Sequence, residues 1–280
     1  MPIRVPMNGL PMHAEKNPEV TLSFQAIIKS FERPRDLTVS RLALRNLQKS
    51  FGERKVLNNV NLDLHAQENL VVLGRSGSGK SVLIKCMVAL LKPDEGTIKV
   101  LGYNVPSLSP SELNELRLQV GFSFQGSALY DSMTIRKNLE FPLMRNLGIY
   151  DTVKLNEMVL TALEEVGLAH TVDQLPSELS GGMKKRIGIA RTLILKPKIM
   201  LYDEPTAGLD PVTSSEINDL ILQVRDRYHT ASIIITHDIS CAHQTSDRIV
   251  ALIEGESKVQ GTFDELKASN DKDLKHFFNY

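Results

Sequence analysis

The sequence of 280 residues has no tryptophan, only two cysteines and no excess of either charge. The cysteines, Cys86 and Cys241, stand singly and without metal-ligand spacing, which is typical of buried thiols in a reducing cytosol. Lysine plus arginine and aspartate plus glutamate number 33 each, so no overall basic field favours a nucleic acid as partner. We therefore expect a cytosolic protein that does not bind nucleic acid.

Long apolar runs are also missing. No run approaches the roughly 18–20 residues that a membrane span requires. The first six residues lack the apolar segment of a secretory signal, and the early Glu15 and Glu19 fit poorly with an organelle transit peptide. We expect a soluble protein in which any membrane association comes through a partner.

Residues 1–40 are predicted to be an N-terminal extension. The stretch up to Asn17 is proline-rich and aperiodic, which is typical of a flexible segment. Residues 18–33 carry both a helical stripe and a strand-like alternation, and we favour a helix because Asn17 can cap it and Pro34 can end it. The helix could dock on a partner or a membrane surface, but packing on its own domain, or disorder, is favoured.

The strongest motif is a phosphate-binding loop that fits G-x-x-x-x-G-K-[ST] at every constrained position. It consists of Gly74, Arg75, Ser76, Gly77, Ser78, Gly79, Lys80 and Ser81. An apolar strand precedes it and a helix follows, so backbone N–H groups and a helix N-terminus surround one anion. Lys80 brings a positive charge to the β- and γ-phosphates, and the Ser81 hydroxyl can ligate Mg²⁺. A serine- and glycine-rich surface loop is the alternative, which the flanking elements disfavour.

The remaining pattern alternates strands and helices. β-rich sequence begins at Leu42, a capping signature starts a helix at Ser109, and residues 109–180 carry mostly helical periodicity. Later strands are predicted at Ile199–Tyr202, Ser232–Thr236 and Ile249–Ile253, with a helix at Val212–Tyr228 and a helical tail after Thr262. The continuous apolar strands indicate a parallel sheet that is covered on both faces.

Four further motifs follow the phosphate loop in order. They are Phe124-Gln125 after a strand-like run, Leu179-Ser180-Gly181-Gly182-Met183 before a helix, an apolar strand ending in Asp203-Glu204 with Asp210 beyond it, and His237-Asp238 after another strand. Charged residues at strand ends beside a helix-start anion site match the ligand position of open α/β sheets. Taken singly, the acidic pair could be a solvated strand end and His237 a structural histidine. The charge run Lys184–Arg186 is predicted to be a solvated helix face rather than a nucleic-acid patch.

Together these motifs resemble those of ATP-binding-cassette (ABC) ATPases, from about Arg41 to Gln260. The resemblance implies an α/β fold, a RecA-like P-loop NTPase core with an antiparallel β subdomain. It implies an ABC ATPase domain over residues 41–262, with an inserted helical subdomain at about 109–180. The tail, residues 263–280, ends in aromatic residues, and we expect it to contact a partner protomer or a regulatory subunit.

The resemblance also implies a role for each motif. Phe51 would stack on adenine, although a core phenylalanine is the alternative, and residues 74–81 would hold the phosphates of ATP. Ser81 and Gln125 would ligate Mg²⁺, with Asp203 holding the metal through water. Glu204 would polarise the attacking water, and His237 would contact the γ-phosphate. Ser180 and Gly182 would face the ATP of a second protomer, and Asp210 would link the two sites of a head-to-tail ATP-sandwich homodimer.

Details within the motifs resemble the MlaF-like ATPases of the Mla/Mce-type lipid transport systems. They are the stretches Phe124–Thr134 and Asn138–Leu143, the run Leu201–Pro211, and Met183 in place of the usual glutamine. This resemblance implies a peripheral ATPase on the cytoplasmic face of the bacterial inner membrane. Its partners would be an MlaE-like permease, an MCE-domain lipid-binding protein and a small regulatory subunit. Leu129, Met133, Leu139 and Phe141 would line the groove for the permease.

Two alternatives stay open. One is the ATPase of an ABC importer for a polar solute such as an amino acid, whose signature usually carries glutamine at position 183. The other is a non-transport ABC protein acting on DNA or ribosomes, which the zero net charge and the single cassette disfavour. A catalytically inactive subunit is disfavoured because Lys80, Glu204 and His237 are all present.

Overall fold

The computed structural model describes residues 40–278, so the N-terminal extension with its predicted helix at 18–33 lies outside the described residues. The strands are β1 (Ser40–Phe51), β2 (Arg54–His65), β3 (Asn69–Leu73), β4 (Glu95–Val100), β5 (Tyr103–Asn104), β6 (Val120–Ser123), β7 (Ile199–Asp203), β8 (Ala231–Thr236), β9 (Arg248–Ile253) and β10 (Glu256–Gly261). The helices are α1 (Lys80–Met87), α2 (Pro110–Leu118), α3 (Ile135–Leu147), α4 (Thr152–Glu164), α5 (Gly181–Leu193), α6 (Pro211–Tyr228), α7 (Ile239–Thr245), α8 (Phe263–Ala268) and α9 (Lys272–Phe278).

Two sheets organise these elements. The core sheet has the strand order β10-β9-β3-β8-β7-β6, and its strands are parallel apart from β10, which pairs antiparallel with β9. The second sheet is antiparallel in the order β2-β1-β4-β5. The fold therefore confirms the predicted α/β core with an antiparallel β subdomain.

The core sheet is buried on both faces. Along β3, Leu70 and Val72 pack into one hydrophobic cluster with the antiparallel sheet and α1, whereas Val71 and Leu73 pack into another with the helices from α3 onward. All five residues of β3 are buried, and so are those of β7. Strands buried on both faces explain why the sequence shows continuous apolar runs instead of alternation.

The region 109–180 contains one strand besides its helices, at the run predicted to be strand-like before Phe124-Gln125. Val120–Ser123 forms β6, an edge strand of the core sheet that pairs in parallel with β7. The predicted capping box is present, since the Ser109 side chain accepts from the Glu112 N–H while the Glu112 carboxylate accepts from the Ser109 N–H. Helix α2 precedes β6, and helices α3 and α4 follow it, beyond the loop that carries Gln125.

The aromatic tail packs on its own chain. Leu274 and Phe277 are buried, and the Phe278 ring contacts the Phe263 ring edge-on at 5.4 Å between centroids. The Phe263 ring in turn lies 4.2 Å from the His243 ring of α7. Phe277 is therefore covered by its own chain, and the expected contact of the tail with a partner protomer or a regulatory subunit stays a prediction.

Two strands of the structure had no prediction. β10 has a largely polar sequence and lies at the edge of the core sheet, and β5 has only two residues. Among residues 40–278, no helix combines the length and the apolar character needed to cross a bilayer.

Candidate functional site: a nucleotide pocket at the sheet edge

The carboxyl ends of four neighbouring strands meet at one edge of the core sheet. β3 leads into the phosphate loop, β8 into His237, β7 into Glu204 and β6 into Gln125. These strands are adjacent in the order β3-β8-β7-β6, and parallel strands end on the same side. The topology thus brings together motifs that are up to 163 residues apart in the sequence, from Gly74 to His237.

A cavity of about 400 Å³ opens at this edge. Of the residues predicted to bind nucleotide, it is lined by Phe51, Ser76, Gly77, Gly79, Lys80, Ser81, Gln125, Glu204 and His237. Arg54, Val56 and Val82 also line it and were not predicted. Phe51 is 48% exposed, which excludes the alternative of a core phenylalanine, and the Lys49 ammonium lies 5.5 Å from its ring centroid.

The phosphate loop has the backbone that its glycines permit. Gly79 has φ +102°, and a Cβ there would lie 2.8 Å from the Val56 carbonyl oxygen. Gly79 is also the N-cap of α1, and no side chain in the described part of the chain caps that helix. The first N–H groups of α1 are therefore left for an anion.

Lys80 is buried and held by three oxygen atoms. Its Nζ donates to the carbonyls of Gly74 at 2.7 Å and Arg75 at 3.1 Å, and it lies 3.3 Å from Glu204 Oε1. The ammonium is thus fixed beside the loop and opposite a carboxylate. Such a charge is positioned to meet phosphate oxygens.

Glu204 connects the other side of the pocket. Its Oε2 lies 2.9 Å from His237 Nδ1 and also accepts from the His237 backbone N–H at 3.3 Å. Glu204 itself is buried, whereas 58% of the His237 side chain is exposed. The structure therefore places a carboxylate between a buried lysine and an accessible histidine.

Asp203 and two polar side chains form a candidate set of oxygen ligands. Asp203 is buried, and its Oδ1 has no hydrogen-bond partner among residues 40–278. Burial raises the pKa of Asp203, the negative charge of Glu204 raises it further, and three lysines (Lys80, Lys85 and Lys185) oppose this. Ser81 and Gln125 are exposed on the wall of the cavity. A hydroxyl, an amide and a carboxylate oxygen are the hard donors that Mg²⁺ prefers.

Other predicted residues lie outside the cavity lining. Arg75 and Ser78, with Ser76 and Gly77, line a second cavity of about 290 Å³ that also borders Phe277 of α9. Gly74 contributes its carbonyl to Lys80, as described above. The phosphate loop therefore faces two cavities, and only the larger one contains Glu204 and His237.

Ser180, Gly182 and Asp210 lie at two helix starts that touch each other. Ser180 caps α5, and Asp210 caps α6 by accepting from the N–H groups of Val212 and Thr213, each at 3.0 Å. The Thr213 hydroxyl and these N–H groups lower the pKa of Asp210. A Cβ on Gly182 would lie 2.4 Å from Thr213 Cγ2, so the close contact of α5 with α6 requires glycine. None of the three lines the cavity of their own chain.

Sequence reasoning missed two contacts at this site. Lys185, assigned to a solvated face, is half-buried and its Nζ donates to the Glu204 carbonyl at 3.1 Å. The Thr206 hydroxyl donates to Asp238 Oδ2 at 3.0 Å and ties the loop after Glu204 to the loop after His237. No local sequence pattern could predict either contact, because each joins residues that are at least 19 positions apart in the sequence.

Comparison with known proteins identifies the family. A family model described as ABC transporter matches residues 57–207, which is more than half of the chain. The chain belongs to the ABC transporter family. As a cassette of this family it is an ATPase that binds ATP with Mg²⁺, dimerises and works with a membrane permease.

Curated relatives of this ABC ATPase carry different transport names. A probable ribonucleotide transport ATP-binding protein, mkl, of Mycobacterium leprae is 35% identical over 238 residues, 85% of this chain and 68% of the relative. The chloroplastic protein TRIGALACTOSYLDIACYLGLYCEROL 3 of Arabidopsis thaliana is 37% identical over 83% of this chain and 72% of its own. The methionine import ATP-binding protein MetN of Clostridium tetani is 38% identical over 76% of this chain and 66% of its own.

Solved structures share the fold. A dimeric post-hydrolysis state of the ATP-binding cassette MJ0796, bound to ADP and Pi, matches with a TM-score of 0.72 and 31% identity over 79% of this chain and 98% of its own. The cbiO1 protein of Clostridium perfringens, part of an ABC transporter complex, matches with a TM-score of 0.75 and 29% identity. The match covers 82% of this chain and 91% of the cbiO1 chain. The cassette fold therefore covers about four fifths of this ABC ATPase.

Proposed function

We propose that this ABC ATPase energises lipid transport across the bacterial envelope, as the subunit beneath an MlaE-like permease that works with an MCE-domain protein. The observation that carries the catalytic part is the single pocket shared by Lys80, Glu204 and His237. The finer assignment to lipid rests on the motif details around Gln125 and Met183, together with the name of the Arabidopsis relative.

The pocket residues have complementary roles. Lys80 and the N–H groups at the start of α1 bind the phosphates of ATP, and the exposed Phe51 ring provides an apolar platform for adenine. Glu204 orients the attacking water and accepts its proton. Because Nδ1 of His237 is engaged by Glu204, its Nε2 is the ring nitrogen left to contact the γ-phosphate.

The metal is held by the oxygen donors described above. Ser81 and Gln125 would ligate Mg²⁺ directly, and Asp203, with an unpartnered carboxylate oxygen in the described structure, would hold it through water. When bound, Mg²⁺ neutralises the charge that develops on the transferred phosphoryl group. Burial and the charge of Glu204 raise the pKa of Asp203, and the neighbouring lysines oppose this in part.

Ser180, Gly182 and Asp210 act across the dimer. Ser180 and Asp210 are exposed at helix N-termini, and neighbouring Val212 is exposed as well. We assign this surface to the second protomer, where Ser180 and Gly182 face its ATP and Asp210 links the two sites. Cleavage of ATP then releases the contact between the protomers.

The permease would dock on the surface after Gln125. Tyr130, Phe141 and Met144 are exposed there, and the Tyr130 and Phe141 rings meet edge-on at 5.2 Å between centroids. Of the groove residues predicted from sequence, Phe141 is exposed, but Leu139 is completely buried in its own core. An exposed aromatic cluster of this kind suits an apolar helix of a partner.

The relatives' names support two substrate classes. The Arabidopsis relative is named after trigalactosyldiacylglycerol, a glycolipid, which favours a lipid substrate. The second candidate is import of a polar solute, because a relative named for methionine import is similar to the same degree. Met183, in place of the glutamine usual in importer signatures, favours the lipid.

The catalytic assignment is tested by two substitutions in the full chain with its permease. Glu204→Gln should retain ATP binding, accumulate a closed dimer and lower turnover by about a hundredfold or more. Lys80→Ala should lose both ATP binding and the dimer, because the phosphates lose their main charge partner. Nucleotide binding, sedimentation and phosphate release report these effects. Equal multiple-turnover rates in wild type and Glu204→Gln would refute the assigned base.

The substrate class is tested by co-purification from detergent-solubilised bacterial membranes, with mass spectrometry of proteins and bound lipids. An MlaE-like permease, an MCE-domain protein and phospholipid are expected, and a small regulatory subunit would appear in the same sample. Phe141→Ala should weaken recovery of the permease, whereas Val153→Ala, at an exposed site on α4, should not. A permease recovered with a solute-binding protein and no lipid would refute the lipid assignment.

A further inference from the structure

The backbone at Glu204 has a conformation that side chains rarely adopt. Its φ is +49°, in the left-handed region where a Cβ is crowded. Such residues persist only where the surrounding structure determines them fully. The orientation of the Glu204 carboxylate therefore depends on what holds the two peptide groups beside it.

Three hydrogen bonds hold those peptide groups. The Glu204 N–H donates to the Ile235 carbonyl at 2.9 Å, which ties it to β8. The Glu204 carbonyl accepts from the Ala207 N–H at 3.2 Å, within its own loop, and from Lys185 Nζ at 3.1 Å. Lys185 is thus the side chain that reaches this carbonyl from outside the loop and from another element.

Lys185 is attached to the helix that Ser180 caps. It lies five residues beyond Ser180, about 7.5 Å along the axis of α5. The side chain is half-buried, and burial lowers the pKa of its ammonium, which the carboxylates of Asp203 and Glu204 oppose only in part. A half-buried ammonium loses part of its hydration, and its hydrogen bond to the Glu204 carbonyl replaces what is lost.

We propose that Lys185 is a positioning residue that couples the helix beginning at Ser180 to the Glu204 peptide of the same chain. Through it, contact of Ser180 with the partner's nucleotide orients the carboxylate of Glu204 in the protomer's own site. The inference rests on the proposed roles of Glu204 and Ser180. Through this contact, hydrolysis at one site of the dimer would depend on closure at the other.

A matched pair of lysine substitutions tests this coupling in the full chain with its permease. Lys185→Met keeps the length and the apolar stem but removes the donor and the charge, and Lys184→Met makes the same change one position away on α5. Lys185→Met should lower kcat by about tenfold, the usual effect of losing one hydrogen bond to a charged group. KM and the dissociation constant for ATP should stay within about twofold, because the phosphate loop is unchanged. Lys184→Met should match wild type.

Two further measurements separate positioning from folding. Lys185→Arg retains a charged donor and should recover most of kcat, and the thermal midpoints of all variants show whether any has lost its fold. The proposal would be overturned if kcat were unchanged in Lys185→Met, or if Lys184→Met lost as much kcat as Lys185→Met. It would also be overturned if Lys185→Met lost ATP affinity in parallel with kcat, or if Lys185→Arg recovered no kcat. Glu204→Gln in the same assays tests the underlying function. If this variant hydrolyses ATP as fast as wild type, the assignment of Glu204 as the base fails. If Glu204→Gln is inactive while Lys185→Met is fully active, only the proposed coupling is refuted.

Discussion

At the scale of single residues, Tyr202 carries an unexpected polar group. It is completely buried on β7 next to Asp203, and its hydroxyl finds no hydrogen-bond partner within the described range 40–278. Burial raises the pKa of this phenol well above its usual value, so the group stays neutral. A buried hydroxyl without a partner loses its hydration and gains nothing in return.

Tyr202→Phe is therefore expected to stabilise the protein by about 1 kcal/mol, since the ring packing is kept and an unsatisfied group is removed. Chemical denaturation of both proteins at pH 7 measures the difference. Tyr103→Phe, at a 45% exposed position on β5, is the control and should change the free energy of unfolding very little. A clear loss of stability in Tyr202→Phe would mean that the hydroxyl is hydrogen-bonded in solution.

At the scale of elements, Asn138 joins the loop after Gln125 to helix α3. Its Oδ1 accepts from the Tyr130 N–H at 2.7 Å, and its Nδ2 contacts the carbonyls of Tyr130, Met133 and Thr134 at 3.0–3.1 Å. The side chain is fully buried, so these bonds replace its hydration. The loop that carries Tyr130 thus takes its shape from one amide.

Asn138→Asp should destabilise the protein by about 3 kcal/mol or more, and by more than Asn138→Ala, although it is nearly isosteric. In Asn138→Asp the oxygen that accepts from the Tyr130 N–H is kept. The NH₂ group that faces three carbonyl oxygens is replaced by a second carboxylate oxygen, which brings a buried negative charge against them. Asn156→Asp on α4 is the matched control, because Asn156 Oδ1 accepts from Arg136 and a carboxylate there gains an ion pair. Equal unfolding free energies for Asn138→Asp and Asn156→Asp, measured by urea titration, would contradict this account.

At the scale of the whole molecule, two buried thiols connect stability to alkaline pH. Burial raises the pKa of Cys86 from 9.0 to about 11 and that of Cys241 from 9.0 to about 12. Below pH 9 both thiols are protonated in the native and the unfolded chain, so they have no effect on the pH dependence. Above pH 9 the unfolded chain loses these protons first, and the native state is progressively disfavoured.

We therefore expect the free energy of unfolding to fall from about pH 9 upward, by at most about 1.4 kcal/mol per pH unit for each thiol. Urea titrations between pH 8 and 10.5 in reducing buffer measure this slope. The double variant Cys86→Ala, Cys241→Ala removes both groups and should show a shallower decline, even if it is less stable at pH 8. Parallel slopes for the two proteins would contradict the raised thiol pKa values.

Much of the fold could be predicted because its signals are local. The strands β3, β7 and β8 are continuous apolar runs, and Ser109, Asp210 and Gly79 mark helix starts by their own chemistry. The edge strand β10 has no such pattern because only one of its flanks is paired and it is largely solvated. The resemblance assigned both Leu139 and Phe141 to the permease groove, whereas the packing of α3 buries the first and exposes the second.

The sequence by itself determined the phosphate loop, the identity of the charged residues at the strand ends and the alternation of strands and helices, because each depends on neighbours within a few residues. Only the tertiary structure decided which of these residues meet: Lys80 with Glu204, Glu204 with His237, and Lys185 with the Glu204 carbonyl. It also decided that Phe277 of the tail is buried by its own chain. The physical reason is that strand order and helix packing set contacts between distant parts of the chain, and a run such as Lys184–Arg186 has the same local pattern whether it faces water or a carboxylate.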